Sequence, residues 1–113
     1  MAYGKRVAFE PIREIAFGSI TGTYQAVGTG LADNARLIRI VNQMDTQMYI
    51  SIDGTTDHIR LPAGGFLLLD LSANKIRDDG LFLAVGTIFY VKQVSAPSTG
   101  SLWIEVLYAE GGV

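Results

Sequence analysis

Apolar and polar residues alternate along most of this chain with a period of two, which is typical of β-strands that bury one face. Strands are predicted at residues 14–20, 23–27, 36–43, 46–52, 57–61, 65–71, 80–85, 87–94 and 101–109. The segment at 65–71 is a continuous apolar run, and its length predicts a strand buried on both faces. Helical periodicity is not sustained in any window, and only residues 72–80 could form a helical turn.

The same alternation predicts which side chains form the core. We expect it to contain Ile38, Ile40, Met48, Ile50, Ile52, Leu68, Phe89, Val91, Ile104 and Val106. The connection at Met44 and Asp45 is tight, so strands 36–43 and 46–52 are expected to pair as a hairpin.

Short strands with turn signals about every 8–12 residues are typical of β-sandwiches and small barrels. We therefore predict an all-β protein: a two-sheet antiparallel β-sandwich, jelly-roll-like, with an extended N-terminal arm. The arm would span residues 1–12 and a single β-sandwich domain would span residues 13–113.

Composition narrows the function classes. The chain has 113 residues, no cysteine, one histidine and a net charge of −2. Without cysteine there is no disulfide or thiolate metal site, and the acidic balance argues against a nucleic-acid-binding protein, which needs a basic face. Charged residues make up only 18% and hydrophobic residues 49%, so we expect a partner to cover part of the surface.

The chain is also expected to be soluble, with no membrane partner. No apolar run approaches the roughly 20 residues of a membrane helix. Glu10 and Pro11 fall where a signal peptide would carry its apolar core.

Residues 49–65 hold the histidine and two aspartates, and are the strongest candidate for chemistry. Asp53 and Gly54 form a turn dipeptide, however, and Asp53 with Asp57 supplies too few ligands for calcium. His58 lies next to Asp57, and neighbouring strand residues point to opposite faces, so that carboxylate does not orient the imidazole. We predict no catalytic residue, metal site or cofactor; His58 would point outward and Ile59 inward.

Candidate partner-binding residues lie near the two ends of the sequence. The N-terminal segment interleaves apolar and basic residues and is too apolar to be a purely solvated tail; its candidates are Tyr3, Lys5, Arg6, Val7 and Phe9. It would form either a strand on the domain's own sheet or an arm on a neighbouring subunit. Trp103 lies on the strand face opposite the aliphatic residues, which makes it a candidate interface residue or a member of a second buried face.

Four turn motifs carry a resemblance to a known group of proteins. They are Asp53-Gly54 after a strand, "LPAG" at residues 61–64, "GT" at residues 86–87 opening a strand, and "AP..G" at residues 96–100 before a final aromatic strand. In these features residues 39–109 resemble the small virion proteins of tailed bacteriophages. The shared positions are architectural, so no functional residue carries over.

The resemblance implies a non-enzymatic virion structural protein, with capsid decoration (cement) as the expected role and head–tail joining or tail structure as alternatives. Its expected partners are further copies of itself and other virion proteins, the major capsid protein first. Its expected location is the capsid surface, after a soluble stage in the host cytoplasm. A carbohydrate-binding β-sandwich, with Tyr49, Tyr90 and Trp103 as its platform, is the alternative of a different class.

Overall fold

The computed structural model describes residues 6–70 and 84–110, which form nine strands and a single short 3-10 helix at Phe17–Ser19. The strands are β1 (Arg6–Phe9), β2 (Arg13–Ala16), β3 (Gln25–Ala26), β4 (Ala35–Asn42), β5 (Met48–Ser51), β6 (Ile59–Leu61), β7 (Phe66–Asp70), β8 (Tyr90–Gln93) and β9 (Ser101–Glu110). Among these residues, no helix is long and apolar enough to cross a membrane. The predicted helical turn at residues 72–80 and most of the predicted strand at 80–85 lie outside the described residues.

The strands form two antiparallel sheets, so the predicted two-sheet β-sandwich is confirmed. One sheet has the order β1–β9–β4–β7, with β2 also paired to β9, and the other has the order β3–β8–β5–β6. We call them the five-stranded and the four-stranded sheet. From β2 onward the chain passes repeatedly between them, which gives the interleaved eight-strand arrangement of a jelly roll.

The core lies between the two sheets. Of the predicted core residues, those confirmed as buried are Ile38, Ile40, Met48, Ile50, Phe89, Val91, Ile104 and Val106. They come from both sheets and form one cluster with neighbours such as Val27 and Leu102. Ile59, predicted to point inward, packs against this cluster, while His58 is exposed as predicted.

Two predicted core residues, Ile52 and Leu68, are instead exposed, at 42% and 52%. Ile52 follows the last residue of β5, so the inward alternation ends before it. Leu68 lies in β7, where exposed and part-buried residues alternate. Because β7 ends the strand order of its sheet among the described residues and only its inner face packs on the core, the prediction of a strand buried on both faces is wrong.

The predicted hairpin between β4 and β5 is also wrong, because these strands belong to different sheets. The connection crosses the sandwich, and Met44 is buried at 3% exposure. Asn42 organises the crossing: its buried side chain accepts a hydrogen bond from the Met44 amide (3.0 Å) and donates to the Thr46 carbonyl (3.0 Å). A short connection therefore joins two sheets here rather than two paired strands.

The N-terminal segment is part of the domain's own sheet where it is described. β1 pairs with the end of β9, from Arg6 opposite Glu110 to Phe9 opposite Leu107. β2 pairs with the beginning of β9, so β1 and β2 lie end to end along one edge, interrupted near Pro11. Residues 6–9 of the predicted arm thus form a strand on the domain's own sheet, one of the two alternatives for this segment, and this pairing satisfies the backbone of β1.

A buried ion pair ties this edge to the loop before β4. Glu10 and Arg13 are 7% and 8% exposed, and Arg13 Nη2 lies 2.7 Å from Glu10 Oε1. Glu10 Oε2 accepts hydrogen bonds from the amides of Ala32 (3.1 Å) and Asp33 (2.9 Å). Arg13 also donates through Nε to the Thr29 carbonyl, at 3.1 Å. The two side chains thus hold the glycine-containing loop against the sheet.

Candidate functional site

The outer face of the five-stranded sheet is the most distinctive surface of the molecule. Strand register places outward side chains from β1, β9, β4 and β7 side by side, for example Phe9, Leu107 and Leu37 in one row. We use the name apolar face for the set Phe9, Ile12, Leu37, Val41, Phe66, Leu68, Trp103 and Leu107. Their strand neighbours Ile38, Ile40, Leu102, Ile104 and Val106 point inward and are buried.

Half of the apolar face is well exposed. Phe9 and Phe66 are each 68% exposed, Ile12 is 53% and Leu68 is 52%, while Leu37, Val41, Trp103 and Leu107 are part-buried. Soluble monomers rarely leave apolar side chains clustered in this way, and such clusters commonly mark interaction sites. The arrangement therefore indicates a surface that a partner covers.

The polar groups within this surface bind one another. Arg39 and Glu105, in the middle of the face, make a two-pronged ion pair with distances of 2.6 Å (Nε to Oε1) and 3.0 Å (Nη2 to Oε2). The indole nitrogen of Trp103 donates to Gln43 Oε1 at 3.0 Å. Beside them is a shallow hollow lined by Ile12, Arg39, Val41, Gln43, Trp103 and Glu105. These polar atoms can therefore be covered without losing their hydrogen bonds.

The outer face of the four-stranded sheet is different in character. Lys92 lies 4.9 Å from the centre of the Tyr24 ring and 5.7 Å from that of Tyr49, and its amine is 3.1 Å from Asp57 Oδ1. Asp57 also accepts a hydrogen bond from the Tyr24 hydroxyl. The hydrogen bonds from Tyr24 and, second, from Lys92 lower the pKa of Asp57. The pKa of Tyr24 is raised, first by its partial burial and then by its hydrogen bond to Asp57. The lysine fills the space between the two rings, which makes this an internally satisfied cluster.

The loop after β5 is built around Asp53. Its Oδ1 accepts hydrogen bonds from the amides of Thr55 and Thr56, both 2.8 Å, and from Ser51 Oγ at 2.7 Å. These bonds, the Thr56 amide first, hold the pKa of Asp53 well below its usual range. Gly54 follows with φ of 82° and lies against the Tyr90 ring. The aspartate is therefore a turn-forming residue.

His58 and Ser51 lie close to Asp53, although the sequence suggested only Asp57 as a neighbour for the histidine. His58 Nδ1 accepts the Ile52 amide at 3.2 Å, and His58 Nε2 is 3.9 Å from Asp53 Oδ2. Ser51 is fully buried, and its hydroxyl accepts from the Asp53 and Gly54 amides while donating to Asp53. With its hydrogen-bonding capacity used in the turn, this serine is not presented as a nucleophile.

The predicted partner-binding residues can be placed as follows. Phe9 and Trp103, far apart in sequence, come together on the apolar face. Arg6 and Val7 belong to β1, while Tyr3 and Lys5 lie outside the described residues. Sequence reasoning missed Phe66 and Leu68 as surface residues, because an apolar strand residue is normally assigned to the core. It also did not single out Ile12, which lies between β1 and β2.

The predicted carbohydrate platform is not formed as a unit. Tyr49 and Tyr90 belong to the four-stranded sheet, and Trp103 points outward from the five-stranded sheet on the other side of the sandwich. A single flat ligand cannot contact all three rings.

Within residues 6–70 and 84–110, His, Asp and Glu side chains are not grouped in threes that could hold a metal ion. No family model, curated protein or solved structure matches the chain.

Proposed function

We propose that this chain is a non-enzymatic structural protein of a tailed-bacteriophage virion, a capsid decoration (cement) protein that binds the head shell through its apolar face. Its partners are further copies of itself and other virion proteins, the major capsid protein first. Its place is the capsid surface, and neither nucleic acid nor a membrane takes part.

The observation that carries the proposal is the apolar face itself. The jelly roll presents this face on a hydrogen-bonded sheet, so covering it orders side chains but little backbone. Phe9, Phe66, Ile12 and Leu68 supply apolar area, while Arg39 and Glu105 supply directional polar contacts. Such a surface suits permanent attachment to another protein.

The turn motifs that carry the resemblance have the backbone geometry of turns. Their glycines all have positive φ: Gly54 (82°), Gly64 (71°), Gly86 (92°) and Gly100 (95°). Positive φ favours glycine over residues with a Cβ, so these motif positions serve the backbone geometry. This agrees with a resemblance based on architecture, in which shape rather than chemistry is shared.

Immunogold electron microscopy tests the location. Antibodies against the purified protein are applied to particles released from a culture that carries this gene. Gold on the head shell is the expected result. Gold at the neck or tail would move the protein to the head–tail or tail alternative, and particles without gold would overturn the proposal.

A binding assay then tests the surface. Purified protein is mixed with phage heads that lack it, and the heads are sedimented to measure the bound protein. The variant Ile12→Lys is compared with the control Val94→Lys, which adds the same charge at a residue that is 49% exposed and lies outside the apolar face. Ile12→Lys should weaken binding by at least about tenfold, because burying an unpaired charge costs more than about 1.4 kcal/mol. Equal binding by both variants would rule out the apolar face as the contact.

A further inference from the structure

Among the residues that the structure describes, the sandwich has four sheet edges, and three of them carry features that hinder strand addition. β3 has two residues and β6 has three, including Arg60 and followed by Pro62. The β1–β2 edge is interrupted near Pro11. Short strands, charges and prolines are the usual means by which proteins block edge-to-edge pairing.

β7 has none of these features before its last residue, Asp70. It runs for five residues with the sequence FLLLD, so four apolar residues follow one another without proline, lysine or arginine. In the part of the chain that the structure describes, no strand lies beyond β7 in its sheet. A long apolar edge of this kind is a template for another strand.

The hydrogen-bond pattern shows which groups of β7 face outward. The Asn42 amide donates to the Gly65 carbonyl at 2.8 Å, and Val41 lies opposite Phe66. Bonded pairs alternate along an antiparallel ladder, so Leu67 and Leu69 bond to β4. The amides and carbonyls of Phe66 and Leu68 therefore point away from β4, toward the edge.

We propose that two copies of this chain pair antiparallel along β7, so that their five-stranded sheets become one continuous sheet. The inference rests on the self-association included in the proposed function and adds the surface that performs it. A two-fold axis at Leu68 places Leu68 opposite Leu68 of the second copy, where each amide donates to the other carbonyl. Phe66 then lies opposite Asp70 of the second copy, so like charges do not meet.

Side-chain chemistry favours a second copy over an unrelated peptide. In this register Leu67 of one copy lies opposite Leu69 of the other on the inner side, where both residues already pack against the core. On the outer side Leu68 and Phe66 extend the apolar face across the junction. The same apolar strand thus forms both sides of the interface, as a two-fold interface requires.

Analytical ultracentrifugation and amide exchange test the pairing without phage heads, so its failure is distinct from failure of the virion proposal. Over a dilution series from about 1 mM to about 1 μM, we expect a dimer that dissociates, as suits an interface at the small end of the known range. The Phe66 and Leu68 amides should exchange more slowly at high concentration, while the Leu67 and Leu69 amides stay protected throughout. A monomer at every concentration, an assembly larger than a dimer, or protection of Phe66 and Leu68 that does not depend on concentration would overturn the proposal.

A pair of variants separates the backbone contact from the side chain. Leu68→Pro removes the outward amide without removing a bond to β4, whereas Leu68→Thr keeps that amide and removes apolar area. The proline variant should be monomeric with its circular dichroism spectrum retained, and the threonine variant should still dimerise. A dimer that persists in a folded proline variant would refute the pairing; should this variant not fold, the amide exchange of the unaltered protein decides.

Discussion

The buried pair of Glu10 and Arg13 permits a quantitative test of what holds the first edge of the sheet. In Glu10→Ala, the Arg13 guanidinium stays buried without its carboxylate, and the amides of Ala32 and Asp33 lose their acceptor. Removing one partner of a buried ion pair typically costs about 3–5 kcal/mol. We expect a loss of this size in the free energy of unfolding.

The reverse change breaks the same pair. Arg13→Met leaves Glu10 buried with two backbone donors, and it removes the hydrogen bonds that Arg13 donates to the Thr29 and Gly30 carbonyls. We expect a loss of about 3–5 kcal/mol, because a buried carboxylate is left without its partner charge. Since the residues are in contact, the double variant should be less destabilised than the sum of the single ones, by about 1–3 kcal/mol.

Urea unfolding followed by tryptophan fluorescence measures all four proteins, and Glu14→Ala serves as the control. Glu14 lies on the same edge and is exposed, so its removal should change the free energy of unfolding by no more than about 0.5 kcal/mol. A loss below about 1 kcal/mol for Glu10→Ala, or additive effects in the double variant, would refute this account.

Three further predictions concern the turns and the core. Gly100→Ala should destabilise the protein far more than Gly64→Ala. At residue 100 an added Cβ would lie 2.1 Å from the Gln43 carbonyl oxygen, whereas at residue 64 it meets nothing within 4 Å. Equal melting temperatures of the two variants would contradict this. Ile50→Ala should cost about 2–5 kcal/mol in urea unfolding, and a loss below about 1 kcal/mol would contradict its burial. The turn hydrogen bonds lower the pKa of Asp53 below its value in the unfolded chain, which is about 4, so the ionised carboxylate stabilises the folded protein above that pH. This contribution disappears as the pH falls. Asp53→Asn should therefore lose less stability between about pH 5 and pH 2 than the unaltered protein does.

The sequence predicts the inner faces of the long strands well, and the reason is visible in β4 and β9. Both cross the middle of a sheet, so their alternation persists through their central residues, from Ile38 to Asn42 and from Leu102 to Val106. In β4 it is broken only near the start, where the register shifts between Ala35 and Leu37. It fails at Ile52 and Leu68, where a strand ends or lies at an edge. Period-two alternation shows that two residues share a face, but not whether that face is covered.

The connections between strands and the buried charged residues are harder to predict from the sequence. A short turn between two strands predicts a hairpin, and the Met44 connection differs only because Asn42 and Met44 are buried. Glu10 and Arg13 are only three residues apart, but their burial depends on a loop about twenty residues later in the chain, so the sequence around them contains no signal for it. The apolar face needed the register of four strands before Phe9 and Trp103 could be placed together.

The position of β9 has a consequence for how the protein folds. Of the described strands β9 comes last, yet it lies inside the five-stranded sheet and pairs with β1, β2 and β4. During synthesis β1 and β2 therefore have no native neighbour among the described strands, and β4 has only β7, until β9 has left the ribosome. Pairings between such distant segments close slowly, and a chain that stops before β9 presents open strand edges to whatever it meets in the cell.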